Sequence, residues 1–140
     1  MEKLNKNSVS LAGEFAVLSQ LVLRGYDANL TLGHTKGIDI LASNSKTGKM
    51  LKIEVKTNYL SKRSAGGTSK LFGKYVTAWP MSDKHEKLED PNLFYCFVNI
   101  SKDTRDIRFF ILPSSVVAKY IQDEHNLWLK EDKKKKNFKF

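Results

Sequence analysis

The first pattern of apolar residues along the chain predicts a helix. Between Ser8 and Arg24, apolar side chains recur at steps of three and four residues, the spacing of a helical stripe that faces a core. Asn7 or Ser8 can cap the start of this helix, and Gly25 suits its end. The predicted stripe consists of Leu11, Phe15, Leu18 and Val22.

Three short segments then follow in which apolar and polar residues alternate, as they do on half-buried strands. These segments cover residues 26–32, 38–42 and 50–57. Because only short turns separate them, the sequence predicts an antiparallel meander.

The second half of the chain mixes strand and helix signals. Residues 58–71 are rich in Gly, Ser and Lys and predict a mobile loop, with a short strand at 72–79 and a short helix at 82–88. Residues 93–100 are almost wholly apolar, as in a strand that is buried on both faces, and residues 107–112 predict another strand. A last helix opens at Pro113 and Ser114, with a core stripe of Val116, Val117, Tyr120 and Ile121. The predicted fold is therefore α/β, with a mixed central sheet flanked by helices in αβββαβ order and a C-terminal helix.

Length and composition restrict the class of protein. The chain has 140 residues, 41% of them hydrophobic, which fits one globular domain, predicted at 1–132, followed by a lysine-rich tail at 133–140. No apolar run approaches the roughly 20 residues of a membrane helix, and no secretory signal is visible. A single cysteine, Cys96, excludes an internal disulfide and a cysteine-rich zinc site. We therefore expect a cytoplasmic protein that does not enter membranes.

The net charge of +9 is unevenly distributed. Residues 49–74 contain seven basic residues and one acidic residue, a net charge of +6 within the folded body. Such a block favours a polyanionic partner, although basic runs can also serve solubility alone. The candidate phosphate contacts in and beside the 58–71 loop are Lys62, Arg63, Lys70 and Lys74.

The third predicted strand carries the strongest candidate chemistry. Side chains alternate along a strand, so Glu54 and Lys56 lie on one face of it. Asp39 interrupts an apolar run on the preceding strand, and pairing of the two strands would bring Asp39 and Glu54 together. Two converging carboxylates suit Mg²⁺, which can polarise a phosphate oxygen and activate a bound water that Lys56 then orients. The alternative is an ordinary solvated strand face.

Three further side chains are weaker candidates. Glu14 on the first helix can point at the same edge of the sheet as a third acid. His85 can contact phosphate or assist the site, with a surface or capping role as the alternative. Trp79 can stack on a base, with a place in the core or at its rim as the alternative.

Together these residues resemble the PD-(D/E)xK nuclease superfamily, which has the restriction-endonuclease-like fold, and within it a small bacterial subfamily. The resemblance rests on an acid in Gly37-Ile38-Asp39 and on Glu54-Val55-Lys56 in the next strand, and it spans most of residues 8–128. It implies that Asp39 and Glu54 are metal ligands, that the Val55 carbonyl is a further ligand, and that Lys56 is catalytic. Glu14 carries over as an additional active-site acid. The superfamily pattern has a proline before the first acid, where this chain has Ile38.

The sequence thus predicts a Mg²⁺-dependent DNA endonuclease that hydrolyses phosphodiester bonds, with Mn²⁺ able to replace Mg²⁺. Paired cleavage of a duplex by so small a chain would require a homodimer. Two alternatives remain open at this stage: a catalytically inactive nucleic-acid-binding module, and an accessory subunit of a DNA defence or repair complex.

Overall fold

A computed structural model describes residues 3–32, 37–61, 67–81, 85 and 90–137, with the backbone alone for 67, 68, 74, 75 and 134–137. Two helices and seven strands make up this part of the chain. In chain order they are α1 (Lys6–Leu23), β1 (Tyr26–Leu30), β2 (Ile40–Asn44), β3 (Met50–Leu60), β4 (Gly67–Ser69), β5 (Gly73–Val76), β6 (Leu93–Ser101), β7 (Ile107–Pro113) and α2 (Ser114–Asn137).

Five of the strands form one mixed sheet in the order β1-β2-β3-β6-β7. The first three strands are the predicted antiparallel meander. β6 lies parallel to β3, with Glu54 opposite Tyr95 and Lys56 opposite Phe97, and β7 returns antiparallel to β6. The predicted α/β class with a mixed central sheet and a C-terminal helix is confirmed.

β6 is buried on both faces, as its continuous apolar sequence predicts. Alternate side chains face α1 on one side of the sheet and α2 on the other. Cys96, Val98 and Ile100 belong to the core with α1, whereas Leu93, Tyr95 and Phe97 belong to the core with α2. Next to β6 lies β3, the middle strand of the five.

The predicted apolar stripe of α1 is correct only at Leu18, which packs against the core. Leu11, Phe15 and Val22 are 47%, 54% and 54% exposed, and the buried face instead contains Gly13, Val17 and Leu21. The reason is a close approach at Gly13, where a Cβ atom would lie 1.8 Å from Thr57 Oγ1 of β3. The helix rests on the sheet through its smallest residue. It is capped by the Asn5 side chain, which accepts a hydrogen bond from Ser8 N at 2.8 Å, and not by Asn7 or Ser8.

The predicted stripe of α2 is only partly correct. Val117 and Ala118 are buried and Ile121 packs beside them, but Val116 is exposed and Tyr120 stacks on Phe72 outside the main core. The helix continues through the lysine run to Asn137. No helix in the described part of the chain combines the length and the apolar character required to cross a bilayer.

The segment between β3 and β6 differs from its prediction. Residues 58–60 continue β3, and residues 67–69 form β4, so the ends of the predicted loop are strands. β4 pairs with β5, which confirms a short strand within 72–79. The predicted helix at 82–88 lies outside the described residues, except for His85.

Candidate active site

The candidate site is built where β2 begins beside the middle of β3. Gly37, with φ of +76°, leads the chain toward β2, and two of the hydrogen bonds of Asp39 tie it to β3. Asp39 N donates to Ile53 O at 2.9 Å, and Asp39 Oδ2 accepts from Val55 N at 2.7 Å. The two contacts flank Glu54, so the sheet itself brings Asp39 and Glu54 together, as the sequence predicts.

Glu54 is a buried acid with one paired oxygen. It is 6% exposed, and its Oε1 atom lies 2.6 Å from Lys56 Nζ and 3.6 Å from His85 Nε2. The other oxygen, Oε2, is buried without a hydrogen-bond partner among the described residues. Because a buried carboxylate oxygen without a partner is costly, this atom is suited to bind a ligand or a cation.

Glu14 approaches the same place from α1. The close contact of Gly13 with Thr57 brings the next residue of the helix over the edge of the sheet. Burial, and then the negative charge of Asp39, raise the pKa of Glu14. The predicted third acid is therefore near Asp39, and it lines the same cleft as Asp39 and Glu54.

The electrostatics of Asp39 reflect crowding of negative charge. Burial is the largest influence and raises the pKa of Asp39, and the charge of Glu54 raises it further. The Val55 N–H and the Lys56 ammonium act in the opposite direction without reversing the shift. Burial and the nearby Glu54 carboxylate thus disfavour the ionised form of Asp39 unless a cation compensates the charge.

Val55 contributes backbone groups to the same site. The N–H and C=O groups of one strand residue point to the same side, so the Val55 carbonyl points, like its N–H, toward the edge where Asp39 lies. A carbonyl oxygen and two carboxylates form a donor set of the type that Mg²⁺ prefers. No group of three or more His, Cys, Asp or Glu side chains within the described ranges is arranged to hold a metal ion. Any cation here would therefore rely on two carboxylates, the carbonyl and water.

His85 and Tyr95 complete the surroundings of Glu54. His85 is 5% exposed and its ring lies edge-on to Tyr95, with centroids 6.0 Å apart. Burial, and then the charge of Glu54, raise the pKa of the Tyr95 hydroxyl. The surface alternative for His85 is wrong, since the ring is buried against the site, whereas the capping alternative concerns a helix that lies outside the described residues. Tyr95 was not a candidate from the sequence, because only its register opposite Glu54 reveals its role.

The three acids, Glu14, Asp39 and Glu54, line one open cleft of about 900 Å³ together with Lys56. Its walls also carry four basic residues that sequence reasoning missed: Lys3, Lys6, Lys102 and Arg105. Trp79 lines the cleft as well, but its indole N–H donates to Val98 O at 3.0 Å and its ring packs on Phe97. This is the rim position weighed from the sequence.

Of the four predicted phosphate contacts, Lys70 is the one whose side chain is described, and it does not line this cleft. Lys70 pairs with Glu131, and its backbone N–H donates to Glu124, both on α2. Lys62 and Arg63 lie outside the described residues, and the side chain of Lys74 is not described either. The role in phosphate binding stays a prediction for all four residues, Lys62, Arg63, Lys70 and Lys74.

Comparisons with known proteins show the fold. Neither family models nor curated protein sequences give a significant match to the chain. Among solved structures, the chain resembles a bacterial homing endonuclease, I-Ssp6803I, with a TM-score of 0.51 and 15% identity. The similarity covers 84% of this chain and 74% of that one. The protein therefore has a nuclease-like α/β fold.

Proposed function

We propose that the protein is a metal-dependent DNA endonuclease that hydrolyses phosphodiester bonds. The observation that supports this most is the grouping of Asp39, Glu54 and Lys56 at the junction of β2 and β3. The same three residues carry the resemblance to the PD-(D/E)xK superfamily. The likeness of the fold to that of a homing endonuclease supports the same class.

In this proposal, Mg²⁺ or Mn²⁺ is held by the carboxylates of Asp39 and Glu54 and by the Val55 carbonyl. When bound, the ion supplies a Lewis acid for the phosphate and lowers the pKa of a coordinated water. The buried Oε2 atom of Glu54, which has no hydrogen-bond partner among the described residues, supports the fit.

The side chains of Asp39, Lys56 and Glu14 have separate roles in this proposal. Asp39 is fixed by the Val55 N–H, so its carboxylate needs no rearrangement to bind a cation. Lys56, 28% exposed and paired with Glu54, has its ammonium at the boundary between the buried acid and the open cleft. There it can orient a water molecule or offset the negative charge that grows on the phosphate. Glu14 adds a third acid whose raised pKa favours proton exchange with solvent or substrate.

The test is a cleavage assay on supercoiled plasmid, linear duplex and single-stranded circles, with Mg²⁺, Mn²⁺ or a chelator. We expect metal-dependent cleavage by the wild type and a loss of at least about 100-fold in Lys56→Gln, the lower range for removal of a group that stabilises charge in the transition state. Lys52→Gln is the matched control. It removes the same charge from the same strand and breaks a salt bridge to Asp90, but Lys52 is not among the residues that line the cleft. Equal cleavage by Lys56→Gln and wild type would refute the proposed site.

A nucleic-acid-binding module that does not cleave is the second candidate. The observation that favours it is the absence of a three-residue metal-ligand cluster from the described part of the chain. The same assay separates the two functions, because such a module would bind DNA and leave every substrate intact with either metal.

A further inference from the structure

Two pairs of basic residues flank the candidate site, although neither pair belongs to the basic block of the sequence. Lys3 and Lys6 come from the start of the described chain and the first residue of α1. Lys102 and Arg105 come from the turn between β6 and β7. Both pairs line the cleft that contains Asp39, Glu54 and Lys56.

The pair on the β6–β7 turn is held in place by the fold. Lys102 Nζ and Arg105 Cζ each lie 5.3 Å from the centroid of the Tyr59 ring, and Tyr59 also lines the cleft. The backbone fixes the same turn, since Lys102 N donates to Leu60 O at 2.9 Å and Arg105 N donates to Ser101 O at 3.0 Å. An aromatic face attracts a cation without neutralising its charge, so both groups remain able to bind an anion.

The acidic residues of this turn do not line the cleft. Asp103 and Asp106 are not among the cleft-lining residues, and Asp106 Oδ2 accepts a hydrogen bond from Thr104 Oγ1 at 2.6 Å. The charged side chains that this turn contributes to the cleft wall are therefore the two basic ones, Lys102 and Arg105. By contrast, Lys70, one of the phosphate contacts predicted from the sequence, pairs with Glu131.

We infer that the sugar–phosphate backbone of a nucleic acid lies along this cleft, with its phosphates bound by Lys3 and Lys6 at α1 and by Lys102 and Arg105 at the β6–β7 turn. This inference rests on the proposed function, because it takes the bond to be cleaved to the candidate acids. The four cations act on the backbone and not on the bases, so they position the strand without selecting a sequence.

The test measures binding of a short fluorescent duplex, and of one of its strands, over a range of salt concentrations with a chelator present. The variant Lys102→Ala/Arg105→Gly removes one pair. Glycine suits the left-handed backbone of Arg105, which has φ of +65°, so this substitution keeps the turn. Each lost phosphate contact should reduce the slope of log affinity against log salt by about 1, hence by about 2 for the variant.

Lys46→Ala/Lys49→Ala is the matched control. It removes the same charge from the turn between β2 and β3, where neither lysine lines the cleft. We expect this control to keep the wild-type slope. Should the turn variant fail to fold, Lys3→Ala/Lys6→Ala at exposed positions provides the same test.

An unchanged slope in the variants of the cleft, an equal loss in the control, or no binding by the wild type would each overturn the inference. The proposed function fails separately. A protein that binds through these residues but cleaves nothing with Mg²⁺ or Mn²⁺ contradicts the nuclease alone, whereas a protein that cleaves and keeps its full salt slope in the variants contradicts the inference alone.

Discussion

Replacing Asp39 with asparagine should stabilise the metal-free protein. The raised pKa of Asp39 means that the folded state disfavours its ionised form, through burial first and the charge of Glu54 second. Asparagine keeps the shape and retains an oxygen that can accept the hydrogen bond from Val55 N at 2.7 Å. The substitution therefore removes the charge and leaves the contact.

The pairing of the strands sets the size of the effect. Asp39 is hydrogen-bonded to Ile53 O and Val55 N, on either side of Glu54, so the two acids are taken as neighbours at about 5 Å, the spacing of adjacent side chains on paired strands. Two unit charges at that distance repel by about 3 kcal/mol at an effective dielectric of about 20. Lys56 and solvent offset most of this, which leaves a gain on the order of 1 kcal/mol, or about 3 °C in melting temperature for a chain of this size.

The sign of the pH dependence follows from the raised pKa. Below the unfolded-state pKa of about 3.9, Asp39 is protonated in both states and the penalty disappears. The penalty grows as the pH rises and is complete above the folded-state pKa. The advantage of Asp39→Asn over wild type should therefore be full at neutral pH and vanish in acid.

Two control variants test whether the loss of charge at Asp39 causes the stabilisation. Asp39→Ala also removes the charge but leaves the Val55 N–H without its acceptor, so it should be less stable than Asp39→Asn by about 1–3 kcal/mol. Asp90→Asn should have the opposite sign. The Asn92 N–H and the Lys52 ammonium lower the pKa of Asp90, so loss of that charge should destabilise the protein at neutral pH.

Thermal melts of the four proteins, with and without Mn²⁺, measure these differences. A metal at 100 times its dissociation constant should stabilise wild type and Asp90→Asn by about 2.7 kcal/mol, and should do little for either Asp39 variant. A lower melting temperature for Asp39→Asn than for metal-free wild type, together with no effect of metal on wild type, would refute the reasoning.

Two further predictions concern the core around the site. Gly13→Ala should destabilise the protein by about 1–3 kcal/mol, because the alanine Cβ would collide with Thr57, and this outweighs the better helix propensity of alanine. Urea unfolding measures the difference, and an unchanged unfolding midpoint would contradict the close contact. Burial raises the pKa of Cys96 to about 11, so thiol reagents at pH 8 should modify the native protein only as fast as it opens, whereas fast modification would contradict the burial.

The sequence predicts the central meander and its acids because their determinants are local. Alternation along β3 and a short turn before it are sufficient to bring Asp39 beside Glu54. The orientation of α1 could not be predicted in this way. Its apolar residues lie on more than one face, and the contact of Gly13 with Thr57 of β3 decides which face is buried.

The surroundings of the acids depend on pairings that are distant in the chain. Tyr95 faces Glu54 only because β6 lies parallel to β3 in one particular register. The cationic residues of the cleft, such as Lys6 and Arg105, come from a helix start and a turn that carry no unusual charge density in the sequence. The basic block of residues 49–74 is conspicuous in the sequence, yet among its lysines with described side chains only Lys56 lines the cleft.

The central claim is that Asp39, Glu54 and the Val55 carbonyl hold a divalent cation. A crystal of the protein soaked in Mn²⁺, with anomalous diffraction recorded at the manganese edge, tests it most directly. We expect an anomalous peak in contact with both carboxylates at the junction of β2 and β3, and no such peak in a crystal of Asp39→Asn. A wild-type crystal without a peak there, in which Glu54 stays paired only with Lys56, would contradict it.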